Sequence, residues 1–142
     1  MEPAPKDDAY GRESWGYLRD AIKNGKVTSF AAWNMVLDKM GKGIDNTRQW
    51  AQNALLVVDG GKITQTPAYY VFRHFSQYVD PGATVVATSG GDAVGFKNTD
   101  GSLVAVMFNS GAANGSYVVA IGGKKLQFAM PGNGWATVKY QP

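Results

Sequence analysis

Aromatic and amide side chains occur together at two points of the chain, a combination that is typical of sugar-binding sites. Trp33 is followed by Asn34, and Trp50 is followed closely by Gln52 and Asn53. A sugar ring offers apolar C–H faces to an aromatic platform and hydroxyl groups to amides, which both donate and accept hydrogen bonds. The same residues also fit a structural role, with both tryptophans in a core and Asn34 capping a turn. Trp33, Asn34 and Trp50 are the predicted substrate-binding residues, and the structural alternative stays open.

Carboxylates are scarce and poorly placed for catalysis. Of the 11 acidic residues, only Glu2 and Glu13 are glutamates. Most of the aspartates fall in predicted turns, where their role is normally structural. Glycoside hydrolysis needs two carboxyl groups across one bond, about 5–5.5 Å apart for retention and about 6.5–9.5 Å apart for inversion. The sequence places no such pair on rigid elements.

Composition disfavours several other classes of function. The chain has no cysteine and one histidine, so we predict no cofactor and no metal site. Its 14 Lys and Arg residues are scattered and the net charge is only +3, which argues against a nucleic-acid partner. No apolar run approaches the ~20 residues of a membrane span. His74 has no Ser or Cys partner in a recognisable motif and is predicted to be structural.

The elements before residue 83 mix helical and extended patterns. Trp15, Leu18 and Ile22 share one helical face, and the continuous apolar run that ends at Trp33 predicts a strand buried on both faces. The predicted elements are a helix Tyr10–Lys23, a strand Val27–Trp33, a loop Lys39–Trp50, a strand Ala54–Val58, an extended run Lys62–Gln65 and a helix Pro67–Val79 capped by Thr66. One helix–strand step cannot bury itself, so this part of the chain needs a partner.

From Ala83 onward the apolar period changes to two, and turns separate short runs, which predicts an antiparallel β-sandwich. The predicted strands are Thr84–Thr88, Ala93–Lys97, Leu103–Phe108, Tyr117–Ile121, Lys125–Ala129 and Trp135–Tyr140, with Ala54–Val58 as a candidate addition. A small sandwich of this kind could act as a carbohydrate-binding module through surface aromatics. Trp135, Tyr117 and Tyr140 are the candidates, and the alternative is that they alternate into the core.

Four segments of the chain, in this order, resemble the C-terminal part of glycoside hydrolase family 30, which includes glucosylceramidases and endo-β-1,6-glucanases. These segments are Trp15–Gly25, Trp33–Asp38, Trp50–Asp59 and Pro67–Val79. The run from Trp33 to Phe75 is fairly specific, whereas the residues after Ala83 fit by position more than by motif.

The resemblance implies a (β/α)8 barrel with a β-sandwich packed on its side. Trp33 would end the last barrel strand, and Pro67–Val79 would be the last barrel helix. The expected fold class is α+β and mostly β, with a C-terminal antiparallel β-sandwich preceded by a helix–strand–loop–helix remnant of the barrel. The expected domains are residues 1–82, the terminal barrel segment, and residues 83–142, the β-sandwich.

The resemblance also implies an incomplete catalytic site. The acid/base Glu of the family lies on an earlier barrel strand that has no counterpart here, and its nucleophile Glu falls roughly at the position of Glu2. About seven of the eight barrel strands are not in this chain. We therefore expect a fragment of a β-glucan- or β-glucoside-cleaving retaining glycosidase that has no hydrolytic activity alone. A glycosidase site rebuilt by oligomerisation is the alternative.

Four apolar residues would face barrel neighbours in that family: Trp15, Leu18, Phe30 and Met35. If they are left uncovered, they form a patch that drives self-association. The expected partners are thus a β-glucan or β-glucoside and further copies of the chain. The N-terminus lacks the pattern of a signal peptide, and the localisation is left open.

Overall fold

The computed structural model describes residues 8–43, 51–90 and 92–142. These residues form two compact units. The first unit contains the described residues up to Leu18 and from Val27 to Phe72, and the second contains Arg19–Lys26 and Arg73–Pro142. The described chain is mostly β-strand with two helices, which confirms the predicted fold class. The division at residue 82 stays a prediction.

Helix α1 extends over Asp8–Lys23, so it begins two residues before the predicted helix and ends where predicted. The amides of Asn24 and Gly25 both donate to the Asp20 carbonyl, at 2.9 and 3.1 Å, and close the last turn. Trp15 is only 1% exposed and Leu18 only 4%. The prediction that these two side chains are left uncovered is therefore wrong, because the apolar face of α1 is buried within this chain.

The prediction of a strand over Val27–Trp33 is also wrong. Residues 27–35 are irregular, and strand β1 begins only at Val36 and ends at Asp38. Phe30 is 40% exposed, Trp33 66% and Met35 69%, so the exposure expected for Phe30 and Met35 is confirmed. A strand needs a partner for its backbone N–H and C=O groups. In the first unit, the partner residues Leu56–Val58 pair with Val36–Asp38 instead.

The sheet of the first unit has three short strands. Strand β2 (Leu56–Asp59) lies in the centre, parallel to β1 and antiparallel to β3 (Lys62–Gln65). Gly60 and Gly61 connect β2 to β3 with positive φ angles of 55° and 81°, as a two-residue hairpin turn of type I′ requires. The predicted extended run Lys62–Gln65 is confirmed. The strand predicted near Ala54–Val58 belongs to this sheet and does not extend the sandwich.

Helix α2 extends over Pro67–Ser76, and its start is as predicted. The Tyr69 amide donates to the Thr66 hydroxyl at 3.4 Å, and proline suits the first helical position because its missing N–H would have no helical partner there. Ala68 and Val71 are fully buried. The helix ends three residues before the predicted Val79.

The second unit contains two antiparallel sheets. The larger sheet has the order β4-β5-β6-β9, and the smaller sheet is the hairpin β7-β8. The strands are β4 (Thr84–Val86), β5 (Asp92–Lys97), β6 (Leu103–Phe108), β7 (Gly115–Ile121), β8 (Lys124–Met130) and β9 (Trp135–Tyr140). All six predicted strands are confirmed. The two sheets enclose Ala93, Met107 and Met130, against which Tyr117 and Phe128 pack.

Candidate functional site

Two backbone segments of the first unit lie side by side and bring the predicted aromatic and amide residues together. The Asn34 amide donates to the Asn53 carbonyl at 3.3 Å, and the Leu55 amide donates to the Asn34 carbonyl at 3.1 Å. These bonds continue the parallel pairing of β1 with β2 toward the N-terminal ends of both strands. The polar-aromatic pair Trp33-Asn34 thus precedes β1, whereas the sequence had placed it after a strand.

One side-chain oxygen connects the pair to the neighbouring segment. Gln52 Oε1 accepts a hydrogen bond from Trp33 Nε1 at 3.0 Å and another from Asn34 Nδ2 at 2.6 Å. The Gln52 backbone amide donates to the Gly41 carbonyl at 2.8 Å, which fixes the residue at its base. The peptide bond between Trp33 and Asn34 is cis. The structure therefore joins Trp33, Asn34 and Gln52 in one cluster, and Trp50 lies outside the described residues.

A cavity of about 480 Å³ opens beside this cluster, within the size range of small-molecule sites. Its described lining is formed by Tyr10, Ser14, Tyr17, Phe30, Ala31, Ala32, Trp33, Gln52, Asn53 and Phe72. Asn34 is not part of that lining and reaches the cavity only through Gln52. Sequence reasoning missed Tyr10, Ser14 and Tyr17, although their i, i+4, i+7 spacing places them on one helical face.

The chemistry of the cavity is uncharged and polar-aromatic. The Asn53 Oδ1 atom is buried and has no hydrogen-bond partner among the described residues. Such an acceptor costs free energy unless a donor reaches it. Burial raises the pKa of Tyr10, partly offset by a hydrogen bond with Ser14, so its hydroxyl stays protonated at neutral pH. The lining can therefore bind hydroxyl groups and apolar ring faces.

Acid–base chemistry has no support in the described part of this cavity, whose lining includes no Asp or Glu. Glu13 is exposed on α1. Glu2, the candidate catalytic residue, lies outside the described residues. Within residues 8–43, 51–90 and 92–142, no group of three or more His, Asp or Glu side chains is arranged to hold a metal ion.

His74 has a structural environment in the second unit. Its Nδ1 atom lies 2.9 Å from Thr137 Oγ1, and the same hydroxyl donates to the His74 carbonyl at 3.3 Å. These two contacts attach both the ring and the backbone of His74 to β9. Burial, and secondarily the charge of Arg73, lowers the pKa of His74.

The aromatic residues proposed as a glycan platform on the sandwich are partly buried. Trp135 is stacked on Phe108 with ring centroids 5.1 Å apart. Tyr117 is stacked on Phe128 at 6.5 Å and packs against the core. An added Cβ at Gly122 would overlap the ring of Tyr140, which shows how closely this ring approaches the β7–β8 turn. All three side chains are partly buried. Trp135 and Tyr140 lie on opposite faces of β9, so the three rings form no common exposed platform.

Comparison with known proteins identifies the C-terminal segment. Residues 82–138 match the glycosyl hydrolase family 30 beta sandwich domain. This range contains β4 to β8 and most of β9. The chain as a whole therefore resembles the C-terminal part of a family 30 glycoside hydrolase, as the sequence predicted. A search of curated proteins gave no match.

Solved structures with the same fold are much longer than this chain. SrfJ from Salmonella typhimurium is 28% identical with a TM-score of 0.79, and the match covers 99% of this chain and 33% of SrfJ. The endo-β1,6-glucanase BT3312 is 24% identical with a TM-score of 0.66, and the match covers 78% of this chain and 26% of that one. The catalytic domain of GH30 xylanase C from Talaromyces cellulolyticus is 17% identical with a TM-score of 0.69, over 89% of this chain and 34% of that one. This chain thus spans about a third of the length of these structures or less.

The helices of the described residues were also compared with the requirements of a membrane-spanning helix. None of the helices in this part of the chain has the length and apolar character needed to cross a bilayer.

Proposed function

We propose that this chain supplies a sugar-binding surface of a family 30 glycosidase architecture, with a β-glucan or β-glucoside as ligand, and that it does not hydrolyse the ligand by itself. The observation that carries the proposal is the Trp33–Gln52–Asn34 cluster beside a cavity whose wall contains the Asn53 Oδ1 atom, which has no hydrogen-bond partner in the described part of the chain. The structural likeness to an endo-β1,6-glucanase supports a glucan as the first ligand to test.

The proposed contacts follow from the chemistry of a sugar ring. Trp33 is 66% exposed, and an indole ring suits the apolar C–H face of a sugar ring. A sugar hydroxyl that donates to Asn53 Oδ1 would remove the cost of the buried acceptor. Trp33 remains a proposed substrate-binding residue. Asn34 is proposed to support binding through its hydrogen bond to Gln52. Trp50, which lies outside the described residues, also remains a proposed substrate-binding residue.

The described lining of the cavity supports the proposed lack of hydrolysis. A retaining mechanism needs two carboxyl groups about 5–5.5 Å apart, and the described lining offers none. The purified chain should therefore bind without turnover of β-1,6-glucan or an aryl β-glucoside. Turnover that co-elutes with the chain would contradict the proposal, and Glu2→Gln would then show whether Glu2 is the nucleophile.

Binding is tested by titrating β-1,6-gluco-oligosaccharides while following tryptophan fluorescence and heat. We expect Trp33→Ala to weaken binding by at least about tenfold, as the loss of a central aromatic contact does. Ile63→Ala is the matched control, because Ile63 is 64% exposed in the same unit but does not line the cavity. Equal affinities of the two variants, or no response of the wild-type chain to any glucan, would contradict the proposal.

The exposed apolar residues of the first unit support self-association as part of the same proposal. Phe30 and Met35 are 40% and 69% exposed, and exposed apolar side chains favour contacts with other protein surfaces. Size-exclusion chromatography with light scattering should show a homo-oligomer. A monomer at high protein concentration would contradict self-association and leave the binding proposal intact.

The proposed domain division is residues 1–82 and 83–142. The start of the family 30 sandwich match at residue 82 supports it.

A further inference from the structure

The side-chain amide of Gln52 has a fixed orientation. Trp33 Nε1 and Asn34 Nδ2 are both hydrogen-bond donors, and both lie within hydrogen-bond distance of the same Gln52 atom, at 3.0 and 2.6 Å. An amide oxygen has two lone pairs and accepts two donors, whereas an amide NH₂ group cannot accept either one. The atom facing Trp33 and Asn34 is therefore the oxygen, and the amide cannot be flipped.

This orientation decides what Gln52 offers to a ligand. Its oxygen is used by Trp33 and Asn34, and its Nε2 group has no hydrogen-bond partner among the described residues. Gln52 lines the same cavity as Asn53, whose buried Oδ1 atom receives no hydrogen bond from residues 8–43, 51–90 or 92–142. Gln52 thus offers a hydrogen-bond donor to this cavity, beside the amide of Asn53.

We infer that Gln52 is a positioning residue that holds the Trp33 indole in place and, through its remaining Nε2 group, donates a hydrogen bond to a hydroxyl-bearing ligand in the cavity. The inference rests on the proposed sugar-binding function and makes it more specific. The ligand must carry an oxygen that accepts from Gln52, as the hydroxyl groups of a sugar ring do.

Two substitutions separate the two roles of Gln52. Gln52→Glu keeps an oxygen for Trp33 and Asn34 but replaces the Nε2 donor with a second acceptor. Gln52→Leu removes both the acceptor and the donor. Gln65→Leu is the matched control, because Gln65 is an exposed glutamine of the same unit whose Oε1 accepts from the Tyr70 hydroxyl at 3.1 Å, and it does not line the cavity.

The positioning role of Gln52 is measured in the absence of a ligand. In ¹H–¹⁵N spectra at neutral pH, the indole N–H signal of Trp33 can be assigned by its disappearance in Trp33→Phe. We expect this signal to move in Gln52→Leu toward the position of a solvent-exposed indole, and to show a hydrogen-bonded shift in Gln52→Glu and Gln65→Leu. An unchanged signal in Gln52→Leu would overturn the positioning role, whatever the ligand is.

The donor role is read by titration with β-1,6-gluco-oligosaccharides. We expect about tenfold weaker binding for Gln52→Glu, although its Trp33 signal shows the hydrogen bond intact, and a larger loss for Gln52→Leu. Wild-type affinity in Gln52→Glu would overturn the donor role. If the wild-type chain binds no glucan, the proposed function and the donor role both fail, while the indole signal still decides the positioning role.

Discussion

The two units of this protein differ in how far their apolar residues are buried within the described chain. The second unit has six strands of up to seven residues, and its central strand β6 includes the buried Val104, Val106 and Met107. The described part of the first unit has three strands of three or four residues and exposes Phe30, Trp33 and Met35. A sandwich encloses its core between its own two sheets, whereas a three-stranded sheet with parts of two helices does not cover every apolar side chain beside it.

The largest effect should come from the core of the second unit. Val106 is fully buried on β6, which pairs with both β5 and β9. Val106→Ala should lower the free energy of unfolding by about 2–3 kcal/mol, because it removes buried methyl groups and leaves a cavity. Val118→Ala, at a side chain 62% exposed on β7, should cost less than about 1 kcal/mol. Similar losses in urea denaturation would contradict the comparison.

A slightly smaller effect is expected where a buried amide connects the sandwich to the segment before it. Asn98 is 3% exposed; it donates to the Tyr78 carbonyl and the Ser102 hydroxyl and accepts from the Asp80 amide, at 2.9, 3.0 and 3.0 Å. Asn98→Ala should cost about 2 kcal/mol, because buried polar groups lose their partners. The exposed Asn114 provides the control, since Asn114→Ala should change the stability by less than about 0.5 kcal/mol.

The stability of the second unit should also depend on pH, because it contains His74. Burial lowers the pKa of His74 below its ordinary value of 6.5, so the unfolded chain binds a proton more readily than the folded one. Stability should therefore be complete above the unfolded pKa and decrease as the pH falls below about 6.5. His74 is the only histidine. Urea denaturation at about pH 5.5 and about pH 7.5 should show a difference that shrinks in His74→Gln, and an unchanged difference would contradict this assignment.

The smallest effect on stability should come from the first unit. Met35 is 69% exposed, so Met35→Ser should change the free energy of unfolding by less than about 0.5 kcal/mol. The same substitution should weaken self-association in light scattering if the exposed residues form the contact. A destabilisation as large as that of Val106→Ala would show that the first unit depends on Met35 burial, and the contrast between the units would fail.

Much of the fold could be predicted because its signals are local. Alternating apolar residues between turns gave the six strands of the second unit, with Leu103–Phe108 and Trp135–Tyr140 at their observed bounds. Thr66 followed by Pro67 gave the start of α2, and Asp59-Gly60-Gly61 gave the hairpin turn. Each signal depends on a few neighbouring residues, so it needs no knowledge of the rest of the chain.

The candidate site was only partly predictable. The sequence singled out Trp33, Asn34, Gln52 and Asn53 by residue type, but not their arrangement. It had no signal for the shared hydrogen-bond acceptor on Gln52, because residues 33–34 and 52 become neighbours only when β1 pairs with β2. Tyr10 and Tyr17 of α1 also line this cavity. Their place there depends on how α1 packs in the folded first unit, which the sequence does not reveal.

Local sequence signals are enough to predict the type and order of most elements, the capping of α2 and the likeness to family 30. They do not predict which apolar residues are covered, because that depends on tertiary contacts. The run before Asn34 has the composition of a buried strand, yet it is exposed here, while Trp15 and Leu18 are buried. The physical reason is that composition records a preference for burial, whereas burial itself requires another layer of structure at that position.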